Sequence, residues 1–276
     1  MMSESNSSPQ LARMNRILLT GAAGGLGVEL RQRLKPYCNI LRVSDIADLG
    51  LAGAQEEVVS CDLAHKPDVI ELLTDVDAVV HMGGISTEHA FEQILEANIK
   101  GVFHLYEAAR IHSVPRVVFA SSNHVVGFHK QSDTLDVDCA RRPDGYYGLS
   151  KSFGEDISRF YFDRYAIETA CIRIGSSFPE PKDRRMLKTW MSYRDLAELI
   201  RCCLYAPKLG HSIVYGMSAN AEVFWDNAGA AHLGFQAQDS SETFRSAVEA
   251  RAPALPPTDL SRVYQGGAFV KFGPFE

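Results

Sequence analysis

The sequence contains no C-x-x-C pair, although it carries six cysteines: Cys38, Cys61, Cys139, Cys171, Cys202 and Cys203. Two of the six are adjacent. That spacing builds neither a zinc site nor a disulfide framework, so free thiols in a reducing compartment are expected. His81, His124 and His129 lack carboxylate or thiolate companions at ligand spacing, and no metal is expected. Lys and Arg form no basic stripe, and the net charge is −6. Neither a nucleic acid nor an anionic membrane surface is an expected partner. No apolar run approaches the ~18 residues that cross a bilayer. The opening stretch MMSESNSSPQLARM has no apolar core of the kind a secretory signal requires. Residues 1–14 are expected to be a disordered extension, and the protein is expected in the cytoplasm.

Short β-branched runs are plentiful, and they alternate with helical patterns. RILLTG (16–21), ILRVSD (40–45), EVVSCDL (57–63), DAVVHMGG (77–84), RVVFASS (116–122) and ETACIRIG (168–175) read as strands. They are almost continuously apolar, as parallel strands covered on both faces are. Helical patterns fill about 25–35, 66–74, 90–112, 145–165 and 194–206. This alternation predicts an α/β fold with a doubly wound parallel sheet. After residue 175 the pattern loosens; one helix and one strand-like run, HSIVYGM (211–217), follow. Residues 15–276 are expected to form one Rossmann-type domain. Residues 176–276 are expected to be a small C-terminal region packed over the carboxyl ends of the strands, supplying most of the substrate-binding part.

RILLTGAAGGLGVELRQRL joins the first strand to the first helix. Gly21, Gly24 and Gly27 give a tight turn that lets backbone approach a pyrophosphate, and the helix N-terminus presents free N–H groups. Asp45 ends the second strand. A carboxylate there bonds a ribose 2′-OH and repels a 2′-phosphate, which favours NAD over NADP. Asp62 and Leu63 end the third strand, and Gly83 and Gly84 end the fourth; both pairs are expected beside the cofactor.

The stretch DGYYGLSK places two tyrosines ahead of a lysine. Tyr147 and Lys151 are i and i+4 on a helix and share a face, whereas Tyr146 is turned away by roughly 140°. Tyr147 is therefore the candidate base, and Tyr146 either lines the pocket or packs. A free phenol titrates near 10. A cation about 5 Å away at an effective dielectric of about 20 supplies roughly 3 kcal/mol. Lys151 and an oxidised nicotinamide together meet the requirement. Ser122, at the end of the fifth strand, is placed to hold the substrate oxygen while Tyr147 takes its proton. Asn98 falls on the apolar stripe of its helix. It either anchors a water leading to Lys151 or holds a local helix distortion.

Together Thr20, Gly21, Gly24, Gly27, Asn98, Ser122, Tyr147 and Lys151 resemble the extended short-chain dehydrogenase/reductase superfamily. HMGGIS, FEQIL, FASSNH, RPDGYYGLSK, RIGSSFPEP, RMLKTW and QGGAFV resemble, more narrowly, the NAD-dependent uronate dehydrogenases, from about Arg16 to about Phe269. The resemblance implies oxidation of glucuronate or galacturonate at the anomeric carbon to an aldarolactone. It implies catalysis by Tyr147, Lys151, Ser122 and Asn98. NAD contacts are implied at Gly21, Gly24, Gly25, Leu26, Gly27, Asp45, Ile46, Asp62, Leu63, Gly83, Gly84, Asn98, Tyr147 and Lys151. Sugar-acid contacts are implied at Ser86, Ser122, Asn123, His124, Tyr147, Ser176 and Arg185, with Phe269 closing the pocket.

Arginine suits a carboxylate through its planar two-toothed donor, and Arg184 is the rival of Arg185 for that part. His124 is either a ligand contact or a satisfied packing residue. Val126 and Gly25 depart from the superfamily, which often has tyrosine and glutamine there. Helices 90–112 and 145–165 form a dimer face in many relatives, so a homo-oligomer is expected. Two other readings stand beside this one. A nucleotide-sugar epimerase or dehydratase needs a larger C-terminal lobe than the chain beyond Lys151 provides. A non-catalytic NAD-binding sensor has no need of Tyr147 or Lys151.

Overall fold

The computed structural model describes residues 12–273 and residue 275. Residues 1–11 of the expected extension lie outside the described residues. Met14, placed in that extension by the sequence, instead opens the first strand and packs half-buried against the core.

Seven strands form one sheet: β1 (Met14–Thr20), β2 (Cys38–Asp45), β3 (Glu56–Ser60), β4 (Ala78–His81), β5 (Arg116–Ser122), β6 (Glu168–Ile174) and β7 (His211–Gly216). Their order is β3-β2-β1-β4-β5-β6-β7, and every neighbouring pair is parallel. Helix α1 (Gly25–Arg33) follows β1, and α2 (Lys66–Leu72) follows β3. Between β4 and β5 lie α3 (Phe91–Ile94), a π-helical stretch (Leu95–Lys100) and α4 (Gly101–Ile111). Helix α5 (Tyr146–Tyr165) precedes β6; α6 (Met186–Thr189) and α7 (Tyr193–Tyr205) precede β7; α8 (Arg245–Arg251) and α9 (Leu260–Val263) come last. The chain leaves β1 towards β2 and returns to β4 on the other side. That reversal opens a crevice at the carboxyl ends of β1 and β4, where ligands of such sheets bind.

Strand alternation explains the long apolar runs. Ile17 and Leu19 of β1 join Leu30, Leu34, Leu196, Leu199 and Leu204 on one face. Leu18, between them, joins Val69, Leu72, Val102, Leu105 and Tyr161 on the other. With both faces covered by helices, polar positions within the strands are scarce.

A third cluster, Val125, Val126, Leu135, Tyr215, Phe224 and Trp225, sits under the C-terminal region. The rings of Tyr215 and Trp225 stack, with centroids 5.1 Å apart. Gln265, fully buried, accepts from Trp225 Nε1 (2.9 Å) and donates to the carbonyls of Lys130 (3.0 Å) and Asp133 (2.9 Å). These bonds fasten the segment that carries Phe269 across the cleft.

Helix α1 is tied to the sheet edge by Glu56. Its carboxylate accepts from Arg31 Nε (3.0 Å), Arg31 Nη2 (2.8 Å) and Gly53 N (2.8 Å), and pairs with Lys35 (3.0 Å). The Arg31 hydrogen bonds pull the Glu56 carboxyl down to about 2. A depressed carboxyl contributes stability that is present above its unfolded value of 4.5 and lost as the pH falls towards 2. Glu56→Gln is expected to lower unfolding free energy by about 2 kcal/mol at pH 7, with the difference closing between pH 4.5 and about 2. Urea unfolding of both proteins across that range checks this.

Candidate active site

At one end of the cleft the glycine turn is dictated by crowding. Gly21 has φ +68°, and a Cβ there would lie 2.6 Å from the Met82 carbonyl carbon. A Cβ on Gly27 would collide with the Gly21 carbonyl, while Gly25 faces open space. The first helical bond of α1 is Val28 N to Gly24 O, so the N–H groups of Gly25, Leu26 and Gly27 point outward at the positive end of the helix. Asp45 accepts from Ala23 N (3.0 Å) and Ala47 N (3.0 Å), which turns its carboxylate to the cleft beside the turn. Ile46 is 74% exposed at the rim, and Asp62 and Leu63 line the same wall. This donor set and shape fit a dinucleotide: amide N–H groups for a pyrophosphate, a carboxylate for a ribose diol and apolar side chains for a base.

The cleft, about 840 Å³, continues along Gly83, Gly84, Ser86, Ser122, Tyr147 and Lys151 to Ser176, Arg185 and Phe269. Tyr147 and Lys151 are both buried on α5, and Lys151 Nζ lies 5.7 Å from the Tyr147 ring centroid. The same ammonium sits 5.1 Å over the Phe119 ring. Tyr146 packs edge-on against Phe91 (5.5 Å) and does not line the cleft. Burial pushes the Tyr147 phenol up to about 12; the Ser122 hydroxyl works against this and the Asp144 charge adds to it. Burial pushes Lys151 down to about 8. Among the polypeptide's own groups desolvation therefore dominates, and the lowering expected from the sequence counts on an oxidised nicotinamide as well as Lys151.

On the substrate side, Ser122 ends β5 and accepts from His124 N (3.2 Å). His124 stacks on Phe269 (3.8 Å) and meets Tyr147 edge-on (5.8 Å). Arg185 donates through Nε to Gln265 O (2.8 Å) and through Nη1 to Ser176 Oγ (3.3 Å). Asn123, with its amide turned to satisfy both neighbours, donates to Ile174 O (3.1 Å) and accepts from Arg185 Nη2 (3.3 Å). Arg184 points elsewhere, bonding the carbonyls of Ala252 and Glu249. Five of the eight substrate-side candidates, Ser86, Ser122, Asn123, His124 and Tyr147, come from before residue 175; Ser176, Arg185 and Phe269 come from after it.

Of the contacts that the resemblance implies, Asn98 alone does not line the cleft. Its Oδ1 accepts from Ile85 N (2.8 Å), and its Nδ2 donates to Ile85 O (3.0 Å) and Ser150 Oγ (2.9 Å). It sits within the π-helical stretch. Its side chain thus joins this stretch to the loop after β4 and to α5. Gly84, at φ +111°, passes so close that a Cβ would lie 2.7 Å from Asn98 Oδ1.

Two acidic residues escaped the sequence reading. Glu88 accepts from the backbone N–H of Tyr146 (2.7 Å) and Tyr147 (2.9 Å), capping α5 from the loop after β4. Asp144 pairs with His124. Both contacts span at least twenty residues, beyond any local pattern. The only local signal was negative: the residue capping α5 is Gly145, which has no side chain to do so.

Residues 17–193 match the model of the NAD dependent epimerase/dehydratase family. The uronate dehydrogenase of Pseudomonas putida is 61% identical over 262 residues, covering 95% of this chain and 97% of that protein. That of Agrobacterium fabrum is 49% identical, covering 93% and 97%. Among solved structures, a mutant of the uronate dehydrogenase from Agrobacterium tumefaciens complexed with NAD superposes with a TM-score of 0.93 at 48% identity, covering 95% of this chain and 99% of that one. The glucuronic acid dehydrogenase from Chromohalobacter salexigens superposes with a TM-score of 0.93 at 50% identity, covering 94% and 98%. The chain belongs to the NAD dependent epimerase/dehydratase family and, within it, to the uronate dehydrogenases.

Proposed function

We propose that this chain oxidises a hexuronic acid, glucuronate or galacturonate, at the anomeric carbon to the aldarolactone, with NAD as acceptor. The observation that carries this reading is Arg185. It reaches the cleft bonded only to neutral groups, the Gln265 carbonyl, Ser176 and Asn123, and is in no salt bridge among the described residues. Burial works against its charge. The Asp183 and Asp144 charges favour it without bonding it; a ligand carboxylate supplies a directly bonded counter-charge, and guanidinium suits it geometrically.

Tyr147 takes the proton of the anomeric hydroxyl, and Ser122 holds the same oxygen by hydrogen bonding. Lys151 offers positive charge to the phenolate from the same helix face. NAD, held by the glycine turn and Asp45, supplies the hydride acceptor. Asn123, His124, Ser176 and Ser86 contact the sugar acid, and Phe269 closes over it. Asn98 acts through Ile85 and Ser150, behind the wall of the cleft. All six cysteines are free and five are buried, which suits a reducing compartment, and we place the protein in the cytoplasm. Helices α4 and α5 leave Phe103, Ile111, Leu149 and Phe160 exposed, an apolar surface that suits a homo-oligomer.

Purified protein is expected to reduce NAD with either uronate, and to be at least about 100-fold less efficient with the matching neutral aldose, which leaves Arg185 unpaired. Absence of NAD reduction with both acids rejects the reading. Arg185→Ala is expected to raise the uronate KM by roughly 100-fold, against at most about threefold for Arg184→Ala; equal effects remove Arg185 from this part. Tyr147→Phe is expected to lower kcat by about a thousandfold or more. Because the working form of Tyr147 is the phenolate, activity rises with pH through its titration. Removing a nearby cation raises that titration, so Lys151→Met moves the acid limb of kcat/KM about one unit or more upward. A pH profile of each variant decides the matter.

A further inference from the structure

Asp144 lies just before α5, and its side chain is 1% exposed. Its Oδ2 is 2.7 Å from Nδ1 of His124, and its Oδ1 is buried with no hydrogen-bond partner. Space for this carboxylate is left by glycines from three segments. A Cβ on Gly127 or on Gly266 would collide with Oδ2, and one on Gly148 would lie 3.1 Å from Oδ1. Three parts of the chain thus forgo side chains around one buried carboxylate whose side-chain partner is His124. A buried carboxylate this sparsely bonded is costly. Its charge also opposes ionisation of Tyr147. Packing alone explains neither cost.

The consequence falls on His124. An ionised carboxylate only accepts, so the proton shared with His124 belongs on Nδ1. The ring is held face-on by Phe269 at 3.8 Å and edge-on by Tyr147 at 5.8 Å. Both neighbours line the cleft, as His124 does. With Nδ1 engaged beneath, Nε2 is the nitrogen left for a ligand.

We propose that Asp144 is a positioning residue for uronate oxidation: it holds His124 in one orientation with the proton on Nδ1, so that Nε2 meets a sugar hydroxyl beside Tyr147. The inference rests on the uronate reading for the identity of the ligand, but the Asp144–His124 pairing is testable without turnover. The pair acts as a unit. Asp144 touches no substrate, and its effect is transmitted through the imidazole.

The test is a double-mutant cycle on the full chain. Asp144→Asn keeps the shape but offers an N–H as well as a carbonyl, so the ring is no longer confined to one tautomer. The uronate KM is expected to rise roughly tenfold or more, with the NAD KM within about twofold of the parent. His124→Gln is expected to raise the uronate KM similarly. The double variant is expected to be no worse than His124→Gln alone, because coupled residues are not additive. An unchanged uronate KM in a folded Asp144→Asn protein, or additive losses in the double variant, overturns the proposal. Should Asp144→Asn not fold, the ¹⁵N shifts of the His124 ring in the unmodified protein, assigned by difference from His124→Gln, settle it. A protonated Nδ1 supports the pairing, and a bare Nδ1 overturns it. If the unmodified protein oxidised neither uronate, the proposed reaction would fail while this readout would still decide the pairing.

Discussion

A phenol and an ammonium group share one buried wall of the cleft, four residues apart on α5, and the surrounding structure is arranged to keep them there. Desolvation drives both towards their neutral forms: Tyr147 up to about 12 and Lys151 down to about 8. In a medium of low polarity, opposite charges that form together stabilise one another far more than in water. The neighbours follow from that. Phe119 lies under Lys151, and Gly154 omits a side chain that would collide with the Phe119 ring. His81, hydrogen-bonded to Thr20 (2.7 Å), is pushed down to about 3 by burial and by Lys151, so no second cation competes.

Position at this depth comes from contacts made far along the chain. Glu88 caps the first turn of α5, and Asn98 ties Ser150 to the loop after β4. Four residues past Lys151, Glu155 receives both arms of Arg173 on β6 (2.9 Å each) and the hydroxyl of Ser121 on β5 (2.7 Å). Ser121 immediately precedes Ser122, so one buried carboxylate sets the strand bearing Ser122 against the helix bearing Tyr147. Ion pairs of this kind add little net stability compared with apolar packing, but breaking one leaves a buried charge. Here its effect is registration.

Local period and local chemistry were legible in the sequence. The seven strands, the glycine turn and the placement of Tyr147 rather than Tyr146 in the cleft all follow from spacing over a few residues. What the sequence did not show depended on contacts across the fold. The segment 90–112 read as helix, with a distortion at Asn98 as one of two readings; the structure has a π-helical stretch at 95–100 with Asn98 buried within it. Gly101, just after it, lies against Leu63, where a Cβ would come within 3.1 Å of the Leu63 side chain. Glu88 and Asp144 had no local signature, because their partners are 20 to 59 residues away. The burial of Tyr147 was hidden for a related reason: charge separation is visible in spacing, whereas desolvation is a property of the whole enclosure.

That enclosure also bears on which ligand the site favours. Arg184 and Arg185 are adjacent, yet one pairs with Glu249 at the surface and the other faces neutral acceptors inside the cleft. A cation matched within the protein gains little from a ligand. A partly buried one that no carboxylate bonds directly gains more. Gln265 makes the difference structural: its carbonyl holds the Arg185 Nε, while its side chain is bonded to Trp225, Lys130 and Asp133. The guanidinium is thus oriented by the same segment that brings Phe269 over His124. Closure of the cleft and the orientation of the Arg185 guanidinium are consequently one feature of the fold, because both hang on the bonds of Gln265.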